Sequence, residues 1–375
     1  MKAAIYKEFN GTISVQDVPI PSISTNDGVL IQVMATGVCR SDWHGWKGHD
    51  GDVKAAGLPF CPGHEFSGIV VETGSAVQKF KPGDKVAVPF ILSCGNCHHC
   101  HEDRPTVCAH QEQPGFTQWG AFAEYVFIPR ADRNLCLLPP SVSFVQAAAL
   151  GCRFTTAYRA VLQQGQLVAS RRRHNTKTVV AVFGCGGLGL SCILMAASQG
   201  ATITTIIAVD VSPLALQKAK ELGATHIVQT TPTQSPMEMA SLTKEYTRYH
   251  EGADLTIDAA GFPTTSEAAV YATRPSGRMV QVGLPFGTTN IPMTLVAGKE
   301  IELVGSHGFS ALDLPNLLQL ISTTPALDPA QLVERCVTLE EGCQALMDMD
   351  KGSPLGMTII TKFDSPSTKS NSSRL

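Results

Sequence analysis

Short β-prone runs recur through the first 150 positions. Val29-Leu30-Ile31-Gln32-Val33, Gly68-Ile69-Val70-Val71 and Lys85-Val86-Ala87-Val88 each read as a strand, and Pro62-Gly63 and Pro82-Gly83-Asp84 punctuate them. This rhythm predicts a small barrel-like β domain. The period then changes. Thr178–Phe183 is a continuous apolar run that reads as a buried strand, leading through a glycine-rich turn into a helix of small and apolar residues to about Gln199. Thr205–Val209 is the next strand and Leu214–Leu222 the next helix. Further strands are predicted at Leu255–Asp258, Met279–Val282 and Ile301–Val304, with helical segments between them. Strands alternating with helices argue for a parallel sheet. Helices follow near Leu312–Ile321 and Leu339–Met347, and the Ser-, Thr- and Lys-rich tail after Phe363 has the composition of a disordered segment. There is no internal repeat.

The 375 residues exceed what one ordinary core organises, so two domains are expected. A formal charge of −3 gives no electrostatic reason to expect nucleic acid or an anionic membrane as partner. No apolar run reaches the roughly 18 residues that span a bilayer. Met1–Tyr6 enters a strand pattern directly, without a charged leader and apolar stretch, so secretion is not expected and the cytoplasm is the expected location. Twelve cysteines in such a chain are expected to be reduced thiols, some of them metal ligands. Cys61, Cys136, Cys185, Cys192, Cys336 and Cys343 are scattered and read as small buried apolar side chains. The basic stretch Arg171-Arg172-Arg173-His174 reads as a solvated loop.

Gly184-Cys185-Gly186-Gly187-Leu188-Gly189 matches G-x-G-x-x-G. Alone the pattern is weak, but here it follows a strong strand, opens a helix, and is followed by an acidic residue, Asp210, at the end of the next strand. Gly184 makes the tight turn, Gly186 lets the backbone approach a pyrophosphate, and Gly189 lets helix and strand pack closely. The helix N-terminus supplies free N–H groups and a positive dipole end. Asp210 would accept hydrogen bonds from ribose hydroxyls and repel a 2′-phosphate, which favours NAD over NADP.

Cys94, Cys97, Cys100 and Cys108 form C-x2-C-x2-C-x7-C. Four thiolates this close in the chain can close a tetrahedron around Zn²⁺ and leave no place for water, so the site is expected to be structural. His98, His99 and His101 read as exposed residues of that lobe. An iron–sulfur cluster also uses four thiolates, but nothing else suggests electron transfer. A zinc ribbon for nucleic acid lacks a basic surface signal.

A second set of metal-binding residue types is Cys39, in Cys39-Arg40-Ser41-Asp42-Trp43-His44, His64, in Gly63-His64-Glu65, and Cys152, in Leu150-Gly151-Cys152-Arg153-Phe154. Two thiolates and an imidazole with an open fourth position are the arrangement of catalytic zinc. Spacing alone does not bring the three together, and a lone cysteine at 39 or 152 is more often core than ligand.

Cys39-Arg40-Ser41-Asp42, Pro62-Gly63-His64-Glu65-Phe66-Ser67-Gly68, the four-cysteine lobe, Gly120-Ala121-Phe122-Ala123-Glu124-Tyr125 and the Gly184–Gly189 turn occur in one order. In these motifs the chain resembles the zinc-containing alcohol dehydrogenases of the medium-chain dehydrogenase/reductase superfamily, from its first strand to about residue 362. The stretch Ser41–Asp50 looks like a branch other than the liver or yeast enzymes. The resemblance implies an α/β protein: a β-rich, barrel-like (GroES-like) catalytic domain from 1–153 and 306–366, a Rossmann doubly wound parallel-sheet domain for NAD from 154–305, and a flexible tail at 367–375. It implies two zinc ions per chain, the catalytic one on Cys39, His64 and Cys152 and the structural one on Cys94, Cys97, Cys100 and Cys108. Asp42 would orient His64, and Glu65 would stand beside the metal. Ser41 matches the hydroxyl that meets the substrate oxygen, and His44 the far end of a proton relay through the nicotinamide ribose. Arg40 matches a pyrophosphate-binding position. Gly184, Gly186, Gly187, Leu188, Gly189 and Asp210 would bind the cofactor, with Leu188 and Thr156 near the nicotinamide. Phe90 and Phe116 match positions lining the substrate pocket, and Trp46 and Trp119 are added more loosely. Many members carry Gly-Arg near the C-terminus with the arginine near the cofactor phosphates; here the pair is Gly356-Met357.

The implied reaction is hydride transfer between an alcohol, or its aldehyde or ketone, and NAD(H), with zinc as Lewis acid. A polyol dehydrogenase or carbonyl reductase would use the same residues. A catalytically silent binding protein of this fold would have lost Cys39, His64 or Cys152, and the zinc-free quinone or enoyl reductases would lack both metal sets. Small-molecule alcohols or carbonyls are the expected partners, in a homodimer or homotetramer. Ser373-Arg374-Leu375 is a close variant of the S-K-L peroxisomal address; it would act as one in a eukaryote and carry no address in a bacterium.

Overall fold

A computed structural model describes residues 1–166, 178–200, 203–285, 287–352 and 354–363. The basic stretch 171–174 and the C-terminal tripeptide 373–375 lie outside the described residues.

The chain divides into two compact units. The first comprises Met1–Gly151 with the segments that begin at Val333 and Met357. Its strands are β1 (Lys2–Ile5), β2 (Ser14–Asp17), β3 (Val29–Val38), β4 (Glu65–Thr73), β5 (Lys85–Val88), β6 (Tyr125–Ile128) and β7 (Cys136–Leu137). The second unit, Cys152–Leu332 with Pro354–Gly356, holds β8 (Thr178–Phe183), β9 (Ile203–Asp210), β10 (His226–Gln229), β11 (Ala253–Asp258), β12 (Thr273–Gln281) and β13 (Glu302–Gly305). The chain then returns to the first unit for β14 (Val333–Thr338) and β15 (Met357–Lys362).

In the first unit the seven-stranded sheet runs β14-β15-β3-β4-β5-β7, with β6 also paired to β3. β14 and β15 are parallel and the other pairs antiparallel. β3 is its spine: ten residues, nearly all buried, that pair with β4, β6 and β15. The ladder with β4 sets Gly37 opposite Glu65, so the end of β3 and the start of β4 carry the segments of Cys39 and His64. Phe60, Phe66, Phe122, Ile31 and Ile128 fill the core.

The second unit is built on a six-stranded sheet ordered β10-β9-β8-β11-β12-β13, and every pair in it is parallel. All six residues of β8 are buried, as expected for a central parallel strand covered on both faces. The strand order reverses at β8, whose C-terminal end is therefore the switch point at which open α/β sheets bind ligands. The glycine turn and the helix Gly187–Ala197 follow there. That helix buries eight of its eleven residues, which is why its sequence shows no polar stripe.

Stretch 306–332, expected with the first domain, groups with the second unit. The reason is packing: Phe309 is fully buried with its ring 5.7 Å from Tyr158, edge-on, and the helix Leu314–Thr323 buries Leu314, Leu317, Leu318 and Ile321. Among the described residues no helix is long and apolar enough to cross a membrane.

Phe183 ends β8 with no exposed surface. Phe183→Ala is expected to cost about 3–5 kcal/mol and to lower the midpoint of urea unfolding followed by circular dichroism. A midpoint equal to that of the parent protein would contradict this packing.

Candidate metal centres and cofactor turn

Cys94, Cys97, Cys100 and Cys108 come together with all four sulfur atoms within 4.8 Å of one another. Cys94 and Cys100 are 4.0 Å apart, Cys97 and Cys108 3.7 Å. Zinc–sulfur bonds of about 2.3 Å in a tetrahedron place sulfurs about 3.8 Å apart, so the set fits one zinc ion. Backbone N–H groups converge on the sulfurs: Asn96 on Cys94, and Cys94 and His110 on Cys108. Backbone N–H groups of Cys100 and Ala109 hold the Cys97 thiol well below its ordinary range, so it is poised as a thiolate. His98 and His101 are exposed, and the His101 ring meets the Asn96 carbonyl oxygen at 3.1 Å.

The second centre is built on a short helix. Cys39 caps Arg40–Trp46, and the Asp42 carboxylate accepts from the Cys39 N–H at 3.2 Å, closing the first turn. The other Asp42 oxygen accepts from the Gly63 N–H at 2.9 Å and meets His64 Nδ1 at 2.8 Å. Asp42 and His64 are each 1% exposed. With Nδ1 committed to Asp42, His64 offers Nε2, which is buried and takes no hydrogen bond. A buried polar atom left without a hydrogen bond is costly unless something else satisfies it. The ligand atoms of Cys39, His64, Glu65 and Cys152 all lie within 4.8 Å of one another. Two soft sulfurs, one imidazole and a carboxylate suit zinc. Room for Glu65 comes from two glycines. A Cβ on Gly37 would strike its carboxylate, and one on Gly151, at φ +20, would lie 2.5 Å from its Cβ. The Phe90 and Phe116 rings stand edge-on to His64, with centroids 6.0 and 5.1 Å away.

Ser41 and His44 lie on the same helix as Asp42, both partly exposed. His44 Nδ1 meets Nδ1 of His49 at 3.1 Å, and Trp43 stands edge-on to both rings. Burial, then Arg40 and His49, hold the His44 imidazole below its usual pKa, against a smaller pull from Asp50. No metal or relay motif pointed to His49. It reaches His44 because Gly48, at φ +71, turns the chain back.

Three further expected positions have surroundings of their own. Trp46 is buried in the core and its indole N–H donates to the Gly11 carbonyl at 2.7 Å. Trp119 is exposed, donates to the Pro59 carbonyl at 3.1 Å, and lines a surface groove with Met1, Ile20 and Phe127. The Arg40 guanidinium lies 3.5 Å over the Trp43 ring and donates to the Met349 carbonyl at 2.5 Å.

At the end of β8, Gly184 has φ +90, and a Cβ there would lie 2.6–2.8 Å from Ala260. A Cβ on Gly189 would collide with the Gly184 carbonyl oxygen, whereas Gly186 faces open space. Asp210 accepts from the Cys185 N–H at 2.6 Å and the Ser212 N–H at 2.8 Å, bracing the turn against the next helix. Gly186 caps the helix Gly187–Ala197 without a side-chain hydrogen bond, so first-turn N–H groups are available to an anion. Leu188 is in that first turn, and Thr156 is buried in the helix Thr155–Tyr158. The turn therefore fits a dinucleotide. Asp258, which the motifs did not single out, is buried at the end of β11 and accepts from the N–H groups of Ala260 and Gly261, from the Ser266 hydroxyl and from the Gln281 amide.

Comparison with known proteins identifies the family. Residues 25–140 match the family model described as alcohol dehydrogenase GroES-like domain, and residues 187–323 match that described as zinc-binding dehydrogenase. A sorbitol dehydrogenase of Bacillus subtilis (strain 168) is 33% identical over 352 residues, covering 92% of each chain. An NAD-dependent alcohol dehydrogenase of Sulfurisphaera tokodaii is 31% identical over 366 residues, covering 96% of this chain and 99% of its own. Among solved structures, an alcohol dehydrogenase from Thermus sp. ATN1 superposes with a TM-score of 0.85 at 28% identity, covering 97% of this chain and all of its own. The chain belongs to the zinc-type alcohol dehydrogenases of the medium-chain dehydrogenase/reductase superfamily, oxidoreductases that use zinc and NAD.

Proposed function

We propose that Cys39, His64 and Cys152 hold the catalytic zinc of this NAD-linked alcohol dehydrogenase, and that Ser41 and His44 handle the proton of its alcohol substrate. The observation that carries the reading is the buried, unbonded Nε2 of His64 in one cluster with the two sulfurs. When bound, zinc supplies Lewis acidity that makes a hydroxyl proton easier to lose, and NAD supplies the hydride acceptor.

The residues do the rest. Asp42 fixes the His64 ring and tautomer by taking the Nδ1 hydrogen. Phe90 and Phe116 present apolar edges around His64 and favour the carbon skeleton of a substrate over bulk water. Ser41 accepts the proton of the alcohol hydroxyl as it gives up its own hydroxyl proton, which is relayed on to His44. His44, partly exposed on the same helix, exchanges a proton with solvent. In the reverse direction the same groups return a proton to the oxygen of a reduced carbonyl. The similarity to a sorbitol dehydrogenase supports polyols within the substrate range. Cys94, Cys97, Cys100 and Cys108 hold a second zinc that stabilises the lobe.

Two zinc ions per chain are expected in the parent protein, by atomic absorption on a purified sample. His64→Ala is expected to cut turnover by about a thousandfold or more, about 4 kcal/mol of transition-state stabilisation, while NADH still binds. Cys97→Ser is expected to lose the other zinc and lower the thermal midpoint. Full turnover in a His64→Ala sample of verified zinc content would refute the ligand assignment.

Neutral His44 is the form that accepts a proton, and its lowered pKa keeps that form populated below pH 6.5. His44→Ala is therefore expected to slow alcohol oxidation about tenfold or more near pH 6, and far less near pH 9, where solvent base takes over. An unaltered pH–rate profile would reject the role. We propose a homodimer or homotetramer as the working assembly; a monomer mass by light scattering at micromolar concentration would exclude it.

A further inference from the structure

The diphosphate bridge of a dinucleotide carries two negative charges, and helix N–H groups alone offset only part of them. The arginine expected to help, Arg40, has its guanidinium on Trp43 and the Met349 carbonyl. Position 357 is a methionine buried in β15. Among the described residues, Arg153 is a cationic side chain that lies on the glycine turn. A Cβ built on Gly187 would stand 2.5 Å from Arg153 Cδ, 3.0 Å from Nη1 and 3.5 Å from Nε. The guanidinium thus rests on the first residue of the helix Gly187–Ala197.

Two features make this placement informative. The G-x-G-x-x-G pattern asks for glycine at 184, 186 and 189 and leaves 187 free. Here 187 is also glycine, at a position where a Cβ would displace Arg153. Moreover, a cation at the positive end of a helix is disfavoured by the helix dipole. An anion at the same place reverses that balance, because the guanidinium and the first-turn N–H groups then face one negative group together.

We propose that Arg153 binds the pyrophosphate of the cofactor alongside the first-turn N–H groups. The inference rests on the NAD reading above. Its guanidinium can engage phosphate oxygens in bidentate fashion, which an ammonium cannot.

The test is a fluorescence titration of the zinc-loaded, full-length protein with NADH, with ADP-ribose and adenosine as competitors. Arg153→Gln is expected to weaken NADH and ADP-ribose in parallel, about 10- to 100-fold, and to leave adenosine unchanged. Arg153→Lys is expected to recover part of the loss, and the salt dependence of NADH binding should be shallower in Arg153→Gln than in the parent. Zinc content and thermal midpoint of each variant, measured on the same samples, report whether the fold is intact. NADH binding within twofold of the parent in an intact Arg153→Gln protein would overturn the proposal, as would an equal loss for adenosine. A parent protein that binds no NADH would instead sink the NAD reading itself.

Discussion

The Asp42 carboxylate holds the candidate catalytic centre together. A buried carboxylate is costly unless it is paired and hydrogen-bonded. This one is met by the Cys39 N–H, the Gly63 N–H and His64 Nδ1. Those groups belong to two segments that are distant in sequence, so one side chain ties the start of the Arg40–Trp46 helix to the loop before β4. It also decides which nitrogen of His64 is left for a metal. The same carboxylate caps the helix that carries Ser41 and His44, so the placement of these two residues and of the His64 ring has a common origin.

Much of the frame could be read from apolar periodicity. Lys85–Val88, Thr178–Phe183 and Leu339–Met347 were expected at the bounds they occupy, because each is a compact apolar run or amphipathic turn with clear edges. β12 begins well before the expected Met279, at Thr273. Pro275 and Gly277 look like a turn in sequence, and it is pairing with β11, through a register shift, that draws them into the strand. β14 and β15 were unreadable because their pairing partners, including β3, are remote in the chain. The four-cysteine lobe was legible from spacing alone, since its ligands are local. Cys39, His64 and Cys152 were not; only the resemblance joined them, because three separated residues meet by tertiary structure. The contacts of Trp46 were not legible either: the Gly11 carbonyl takes its N–H and the core takes its ring.

Space matters at both sites as much as donors do. Glu65 is buried only because Gly37 and Gly151 leave its side chain a place. A bulkier residue at either position would push the carboxylate away from the ligand cluster. At the cofactor turn Gly184 and Gly189 permit close backbone contact, and Gly187 leaves room for Arg153. Motif matching credits only the first two. The reason for a glycine at 187 appears once the neighbouring side chain is located, which no linear pattern records.

The electrostatic demands of the two sites are opposite in sign. The first gathers two thiols, Glu65 and Asp42 around a single imidazole, all but Cys152 buried. Ionising those sulfurs without a cation would be prohibitively costly, so a divalent metal and loss of thiol protons must come together. The second gathers a helix N-terminus without a side-chain cap and an arginine, and so favours an anion. The donor set of the first suits a divalent cation, and the groups gathered at the second suit a diphosphate.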